Sequence, residues 1–182
     1  MNSVSTVELN GFHVSLVPFG DQHITETYVG WLNDQEMSKI ILSAETTTTL
    51  EECRAYAESL ILSNENHFFA MIANDTKEHI GNFRLGPHDK HNDRIQLGMM
   101  IGNKSYWGRG IGSEVVSLGL NFAFEILNVH KVFLDVREDN LGAIRIYEKN
   151  NFFHEGVLKE HVKKNNRFYD LVLMSAINPG LN

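Results

Sequence analysis

The sequence predicts an α/β fold with one mixed central β-sheet and helices on both of its faces. Three observations predict it. Strand-like and helix-like runs follow one another in the order β-α-α-α-β-β-β-α-β-α-β-β, which suits a mixed sheet covered by helices. The longest periodic segment follows a glycine-dense loop, where Ile111, Val115, Leu118, Phe122 and Ile126 recur as one apolar helical stripe. The chain has 182 residues, 42% of them hydrophobic, enough for one core and too few for two. A single domain over residues 1–182 is therefore expected.

Each element has its own signal. Phe12 to Val17 alternates apolar and polar residues, as a half-buried strand does. Asp21 opens a helical stretch through Tyr28, Trp31 and Leu32, and a second helical piece covers Glu36 to Leu42. Thr49-Leu50-Glu51-Glu52 has the capping-box pattern and predicts a helix to about Leu62. Phe68 to Ala73 and Ile80 to Leu85 read as strands joined near Lys77-Glu78, and Pro87 to Asp93 as a loop. Ile95 to Ile101 is apolar on both sides and reads as a buried strand, and Val132 to Val136 as another. Asn140 is an N-cap candidate for a helix carrying Ala143, Ile144 and Tyr147. Phe152 to Val162 and Phe168 to Ile177 flank a hairpin-like turn at Lys163 to Asn166.

Composition narrows the function classes. The formal net charge is −7 and the best basic run is Lys163-Lys164, so no nucleic-acid partner is expected. One cysteine, Cys53, permits neither an intramolecular disulfide nor a cysteine-based zinc site, and suits a reducing, cytoplasmic location. The nine histidines lack metal spacing, His88 and His91 being the closest pair, so no metal is expected. No apolar run reaches membrane length and the N-terminus lacks a signal-peptide core, so no membrane association is expected either.

The chemistry concentrates between Ile101 and Glu114. A strand ends there, the loop Tyr106-Trp107-Gly108-Arg109-Gly110-Ile111-Gly112-Ser113 follows, and the amphipathic helix begins. Glycines at alternate positions let the backbone turn tightly and let a ligand come close to it. The first N–H groups of a helix lack internal partners and favour an anion. Together these make a pyrophosphate site. A Walker A loop would need a Gly-Lys-Ser/Thr ending, and a dinucleotide fingerprint would need glycine where Ser113 stands. The plain alternative is a tight strand-to-helix turn with no ligand.

The loop, together with Val132 to Val136 and the later Asn140-x-x-Ala143-x-x-x-Tyr147, resembles the GNAT superfamily of N-acetyltransferases. The likeness is strong from Ile95 to Gly156 and looser before Phe68. Tyr106-Trp107-Gly108-Arg109-Gly110 resembles the ribosomal-protein-alanine acetyltransferase subgroup, which carries tryptophan where the broad family has Gln or Arg. Gly30-Trp31-Leu32-Asn33-Asp34 is similar to acetyltransferases of nucleotide-linked amino sugars.

The resemblance implies acetyl-CoA as co-substrate and a primary amine as acceptor. It implies that Gly108, Arg109, Gly110, Ile111, Gly112 and Ser113 present N–H groups to the pyrophosphate, with Trp107 beside them. It implies that Met99, Met100 and Ile101 lie on a strand that splays from Val132 to Val136 and pairs with pantetheine. Asn140 would bind the pantetheine amides and Tyr147 would protonate the leaving thiolate, near an oxyanion donor on the Met100 strand. Relatives often have an acidic residue in place of Gln96, and glutamine is no base. Asp93, His88, His91 or a water chain remain as substitutes, or the acceptor arrives already neutral. Asn82, Arg84 and Gln96 are the candidates for acceptor contact.

Each residue also has a plain reading. Tyr147 can be a packed core tyrosine, Asn140 only a helix cap, and Asn82 and Arg84 exposed strand positions. Trp31 reads as a core anchor, Met99 and Met100 as core or cofactor wall, and His130 as a structural histidine. Three acceptors stay open, a protein N-terminus, a nucleotide-linked amino sugar and a small polyamine or antibiotic amine. So does a non-catalytic acetyl-CoA sensor, which Gln96 favours. The resemblance brings a homodimer with it as an option on which the residues are silent.

Overall fold

The computed structural model describes residues 7–37 and 47–181. The helical piece expected over Glu36 to Leu42 lies, from residue 38 onward, outside the described residues. In chain order the elements are β1 (Leu9–Asn10), β2 (Val14–Pro18), α1 (Glu26–Asn33), α2 (Leu50–Ile61), β3 (His67–Ala73), β4 (His79–Asp89), β5 (Arg94–Ile101), α3 (Ile111–Asn121), β6 (Lys131–Arg137), α4 (Leu141–Lys149), β7 (Phe153–Lys164) and β8 (Arg167–Ile177). The eight strands form one sheet in the order β1-β2-β3-β4-β5-β6-β8-β7. Every pairing is antiparallel except that of β5 with β6. The mixed sheet expected from the sequence is thus what forms.

Side-chain alternation makes two cores, one on each face. On one face Val14, Leu16, Phe69, Met71, Phe83, Leu85, Ile95, Leu97 and Val132 pack with Val115, Phe122, Ile144 and Tyr147 of the α3–α4 segment. On the other, Phe19, Ala70 and the partly buried Phe68 and Met100 meet Tyr28 and Trp31 of α1 and Cys53 and Ala57 of α2. Successive residues of β3 therefore serve opposite cores. Trp31 is the core anchor that the sequence suggests. Its ring sits where any side chain at Gly102 would stand, 2.0 Å from the ideal Cβ position.

The caps follow the chemistry of their residues. Thr49 and Glu52 form the predicted reciprocal box, with Glu52 N–H donating to Thr49 Oγ1 at 3.2 Å and Thr49 N–H to Glu52 Oε2 at 2.8 Å. The β7–β8 turn uses Asn165 and Asn166, both in the left-handed region at φ 50° and 56°.

Four sequence expectations need correction. The helix expected from Asp21 starts at Glu26, because Thr25 provides the cap and Asp21–His23 forms a separate 3₁₀ turn. The loop expected from Pro87 is shorter, since β4 continues to Asp89 with a register shift between Leu85 and His88 that accommodates the proline. Ile126 leaves the apolar stripe and is exposed, because residues Phe122–Ile126 adopt the wider π turn, which rotates the end of the segment away from the core. β5 is fully buried only at Ile95 and Leu97; its far half borders a cleft.

Candidate active site

The cleft exists because β5 and β6 part company. Their parallel ladder runs Arg94↔Lys131, Ile95↔Val132, Gln96↔Phe133 and then stops, although both strands continue. Parallel strands whose right-handed twist is not held by further pairing diverge. Past Gln96 the β6-facing edge of β5 lacks a partner strand among the described residues. The resulting cleft has a volume of about 950 Å³ and passes from the loop before α3 to the face that carries α1 and α2. The Met100 carbonyl lies against Gly81 on the β4 side, so by alternation the peptide groups of Met99 and Ile101 are directed toward β6. Ile101 carbonyl oxygen accepts the Trp107 indole Nε1–H at 2.8 Å, which pins that half-exposed ring at the cleft wall.

At one end of the cleft stands the glycine loop. Gly108 and Gly110 have φ 73° and 83°, the left-handed region, and a Cβ at either would meet nothing within 4 Å. These two glycines thus answer a backbone demand rather than a shortage of space. Gly110 is the N-cap of α3 and offers no side chain to its first N–H groups. Ser113 and Glu114 N–H both turn back to the Gly110 carbonyl, at 3.1 and 3.2 Å. The N–H groups of Gly108, Arg109, Gly110, Ile111 and Gly112 have no protein partner among the described residues. Of the six expected donors, five are therefore available and Ser113 is engaged. Ser113 Oγ instead accepts Asn150 Nδ2–H at 3.0 Å, tying α3 to the end of α4. The Arg109 guanidinium turns out of the cleft and lies over the Tyr106 ring, 5.0 Å from its centroid.

Further along, Asn140 Oδ1 caps α4 by accepting Ala143 N–H at 3.2 Å. Capping uses only the oxygen, so the amide Nδ2 remains a donor on the cleft wall. Tyr147 follows two turns later. It is buried, lines the cleft and packs on Phe152 at 5.6 Å between centroids. No protein group among the described residues hydrogen-bonds its hydroxyl. Burial, with a smaller contribution from the charge of Asp135, pushes the phenol up to about 12.

Asp135 is the residue that sequence reasoning missed. It lies on β6 among the cleft-lining residues, and its Oδ1 accepts Gln96 Nε2–H at 2.8 Å. Gln96, which cannot be a base, thus holds a carboxylate that leaves Oδ2 available. The signal was in the sequence. Alternation along Val132-Phe133-Leu134-Asp135-Val136 puts the lone carboxylate opposite the apolar face. Two residues on, the buried Arg137 grips Asp139 through Nε at 3.0 Å and Nη2 at 2.6 Å and stacks on Tyr169 at 3.9 Å.

The other proposed bases lie elsewhere. Asp93, His88 and His91 sit around the Arg94 end of β5, opposite to the cleft end, and none lines the cleft. Asp93 is structural there, its carbonyl and Oδ2 accepting the N–H of His130 at 3.1 Å. Asn82 is also misplaced as an acceptor contact. It is buried, with Oδ1 2.9 Å from His79 Nε2 inside an aromatic cluster of Phe19, His23, Tyr28 and Trp31. Arg84 does line the cleft. His130 gives its backbone carbonyl to Asn178 N–H, at 2.9 Å. Cys53 is buried between α2 and the sheet, and burial pushes its thiol up. No group of metal-ligating side chains occurs among the described residues, and no helix among them is long and apolar enough to cross a membrane.

Known proteins share this architecture. The acetyltransferase (GNAT) domain model matches residues 13–152. The probable N-acetyltransferase YjcK of Bacillus subtilis (strain 168) is 31% identical over 124 residues, 68% of this chain and 68% of that one. The uncharacterized N-acetyltransferase p20 of Bacillus licheniformis is 28% identical over 118 residues, 65% of this chain and 66% of that one. Among solved structures, the Vibrio cholerae spermidine N-acetyltransferase in complex with CoA and spermine superposes with a TM-score of 0.83 at 21% identity, covering 91% of this chain and 96% of that one. The ribosomal-protein-S5-alanine acetyltransferase of Vibrio fischeri gives 0.84 at 17% identity, covering 97% and 99%. At such identities the two structures speak for the fold.

Proposed function

We propose that this chain, which belongs to the GNAT acetyltransferase family, moves an acetyl group from acetyl-CoA to the primary amine of a protein N-terminus within a ternary complex. The observation that carries the reading is the cleft itself, with five unpartnered N–H groups at one end, an unpaired strand edge along its length and a carboxylate at the other. Acetyl-CoA fits it in kind, as a diphosphate for the N–H groups and an extended amide chain for the strand edge. When bound it supplies an activated thioester that an amine can attack without an enzyme nucleophile.

This chain's residues then have separable tasks. Gly108 to Gly112 hold the pyrophosphate through backbone N–H groups, with the positive end of α3 behind them. Met99 and Ile101 offer peptide groups and Asn140 its Nδ2–H to the pantetheine arm, and a peptide N–H of the same strand faces the oxygen on which charge develops. Asp135, held by Gln96, takes the proton that an alkylammonium must lose. Tyr147, protonated at neutral pH as any phenol is, gives its proton to the departing sulfur.

The choice of a peptide acceptor rests on the Tyr106-to-Gly110 segment and on charge. Among the described residues Arg84, Arg137, Arg145 and Lys149 line the cleft against one carboxylate, Asp135. A spermidine-like polycation finds little to bind there.

The test is thiol release from acetyl-CoA across Ala- and Ser-starting peptides, nucleotide-linked amino sugars and spermidine, with a no-acceptor control. Turnover with peptides is expected. The buried Cys53 should contribute a small background. Binding of acetyl-CoA without release from any acceptor would replace the enzyme reading by the sensor reading.

A further inference from the structure

We propose that Arg84 anchors a negative group of the acceptor, so that the amine acetylated here carries a carboxylate or phosphate several bonds away. The inference rests on the acetyltransferase reading and adds the class of acceptor to it. Its basis is an imbalance of charge. The chain as a whole is net −7, yet among the described residues the cleft is lined by four basic side chains and one acid.

Three of the four are accounted for by their positions. Arg137 is answered by Asp139. Arg145 and Lys149 ride on α4, the helix that packs against α3 near the N–H-rich loop. Arg84 is different. It stands on β4, on the sheet face that carries α1 and α2, with Met37, Tyr56 and Met100 among the neighbouring walls of the cleft. It is half-buried, and no ion-pair or hydrogen-bond partner meets it among the described residues. A half-buried cation without a partner is costly, and an incoming anion offsets that cost.

The local build also presents the guanidinium rather than hiding it. Arg84 and Gly98 are register partners. Where a Cβ would stand on Gly98, Arg84 Nε and Nη2 pass at 3.8 Å. That is ordinary contact distance, so the guanidinium lies close over the Gly98 backbone and across β5. Gln96, with Asp135 beyond it, lies two residues along the same strand. Two residues of strand advance about 7 Å and each strand crossing about 5 Å, which puts the anion and the reacting amine on the order of 7–10 Å apart. A free α-amino acid is too short to bridge that gap. An N-terminal peptide with an acidic side chain in its first residues, or a nucleotide-linked amino sugar, has the reach. A polyamine would place a second cation beside Arg84.

The experiment compares matched acceptors. A Ser-Asp peptide is set against Ser-Lys, a nucleotide-linked amino sugar against the free amino sugar, and spermidine stands alone. Wild type should favour the anionic member of a pair at least tenfold in kcat/KM, mostly through KM. The pair that shows the preference identifies the source of the anion. Arg84→Gln should erase the preference and Arg84→Glu reverse it, with acetyl-CoA affinity and thermal midpoint unchanged. Equal use of both members, a preference for spermidine, or a preference that survives Arg84→Gln would overturn the proposal. If no acceptor releases thiol, calorimetric titration of the two peptides into CoA-saturated protein decides. Tighter binding of Ser-Asp, lost in Arg84→Gln, would keep the Arg84 site while the transferase reading falls. Equal binding would remove the site.

Discussion

The two ends of the cleft are made of different material. The end at α3 is built from backbone, with five N–H groups on a turn that two left-handed glycines permit. The end at β4 and β6 is built from side chains, with Asp135 held by Gln96 and Arg84 lying over Gly98. A backbone site depends on conformation, so a few glycines announce it. A side-chain site depends on which residues face each other across strands that are distant in sequence. The first kind can be shared by many acetyltransferases, whereas the second is free to differ from one chain to the next.

Breaking the backbone end should have the largest effect. Gly110→Asp places a carboxylate among the N–H groups proposed to hold the pyrophosphate and forces a side chain into φ 83°. Acetyl-CoA affinity measured by calorimetry should fall at least a hundredfold. Gly110→Ala, which adds left-handed strain of only about 1–2 kcal/mol, should lose much less. Equal losses in the two variants would mean that shape matters and the anion does not. Asp135→Asn comes next, since its Oδ1 can still accept from Gln96 while the carboxylate proposed as base is lost. Turnover should drop about 10²–10⁴-fold, with acetyl-CoA affinity intact. Unchanged turnover would take Asp135 out of the mechanism and leave the acceptor to arrive neutral. Tyr147→Phe should cost about 10–100-fold in kcat, at the lower end of such effects because water can also protonate a thiolate. A loss confined to affinity would make Tyr147 part of the cofactor wall.

The last effect leaves turnover at neutral pH untouched and concerns the scaffold beneath the side-chain end. His23 is buried beside His79, and burial lowers it to about 4. It folds neutral, while the unfolded chain binds a proton below the ordinary imidazole value of 6.5. Its contribution to stability is therefore complete above that value and is lost as pH falls from 6.5 toward 4, at up to ~1.4 kcal/mol per pH unit. Urea midpoints across this window should fall more steeply for wild type than for His23→Gln. Parallel curves would place the acid sensitivity elsewhere.

The same contrast decides what could be read from the sequence. The glycine loop, the Asn140 cap, the α3 helix and most of the succession of strands and helices along the chain were legible, because each follows from residues close together in the chain. The wrong extent of the stripe at Ile126 arose where a π turn, set by packing, changed the helical repeat. Asn82 looked like an exposed strand residue because nothing nearby in sequence shows that α1 covers it. Strand alternation marked Asp135 as facing away from the apolar side, but not as part of a site. Its partner Gln96 is 39 residues away, and only the sheet brings them within a hydrogen bond.

The parting of β5 from β6 has one more consequence. An open strand edge at the rim of a sheet is an invitation to any other chain with a strand to offer. Here the edge lies in the middle of the sheet, with β4 on one side and β6 a short way off on the other. A folded protein cannot reach into such a gap, and a second β-strand with its side chains would jam against the walls. A thin filament with amides but no bulky branches can be drawn in lengthwise. The molecule thus keeps a sticky edge in working order by fitting it with a keyhole.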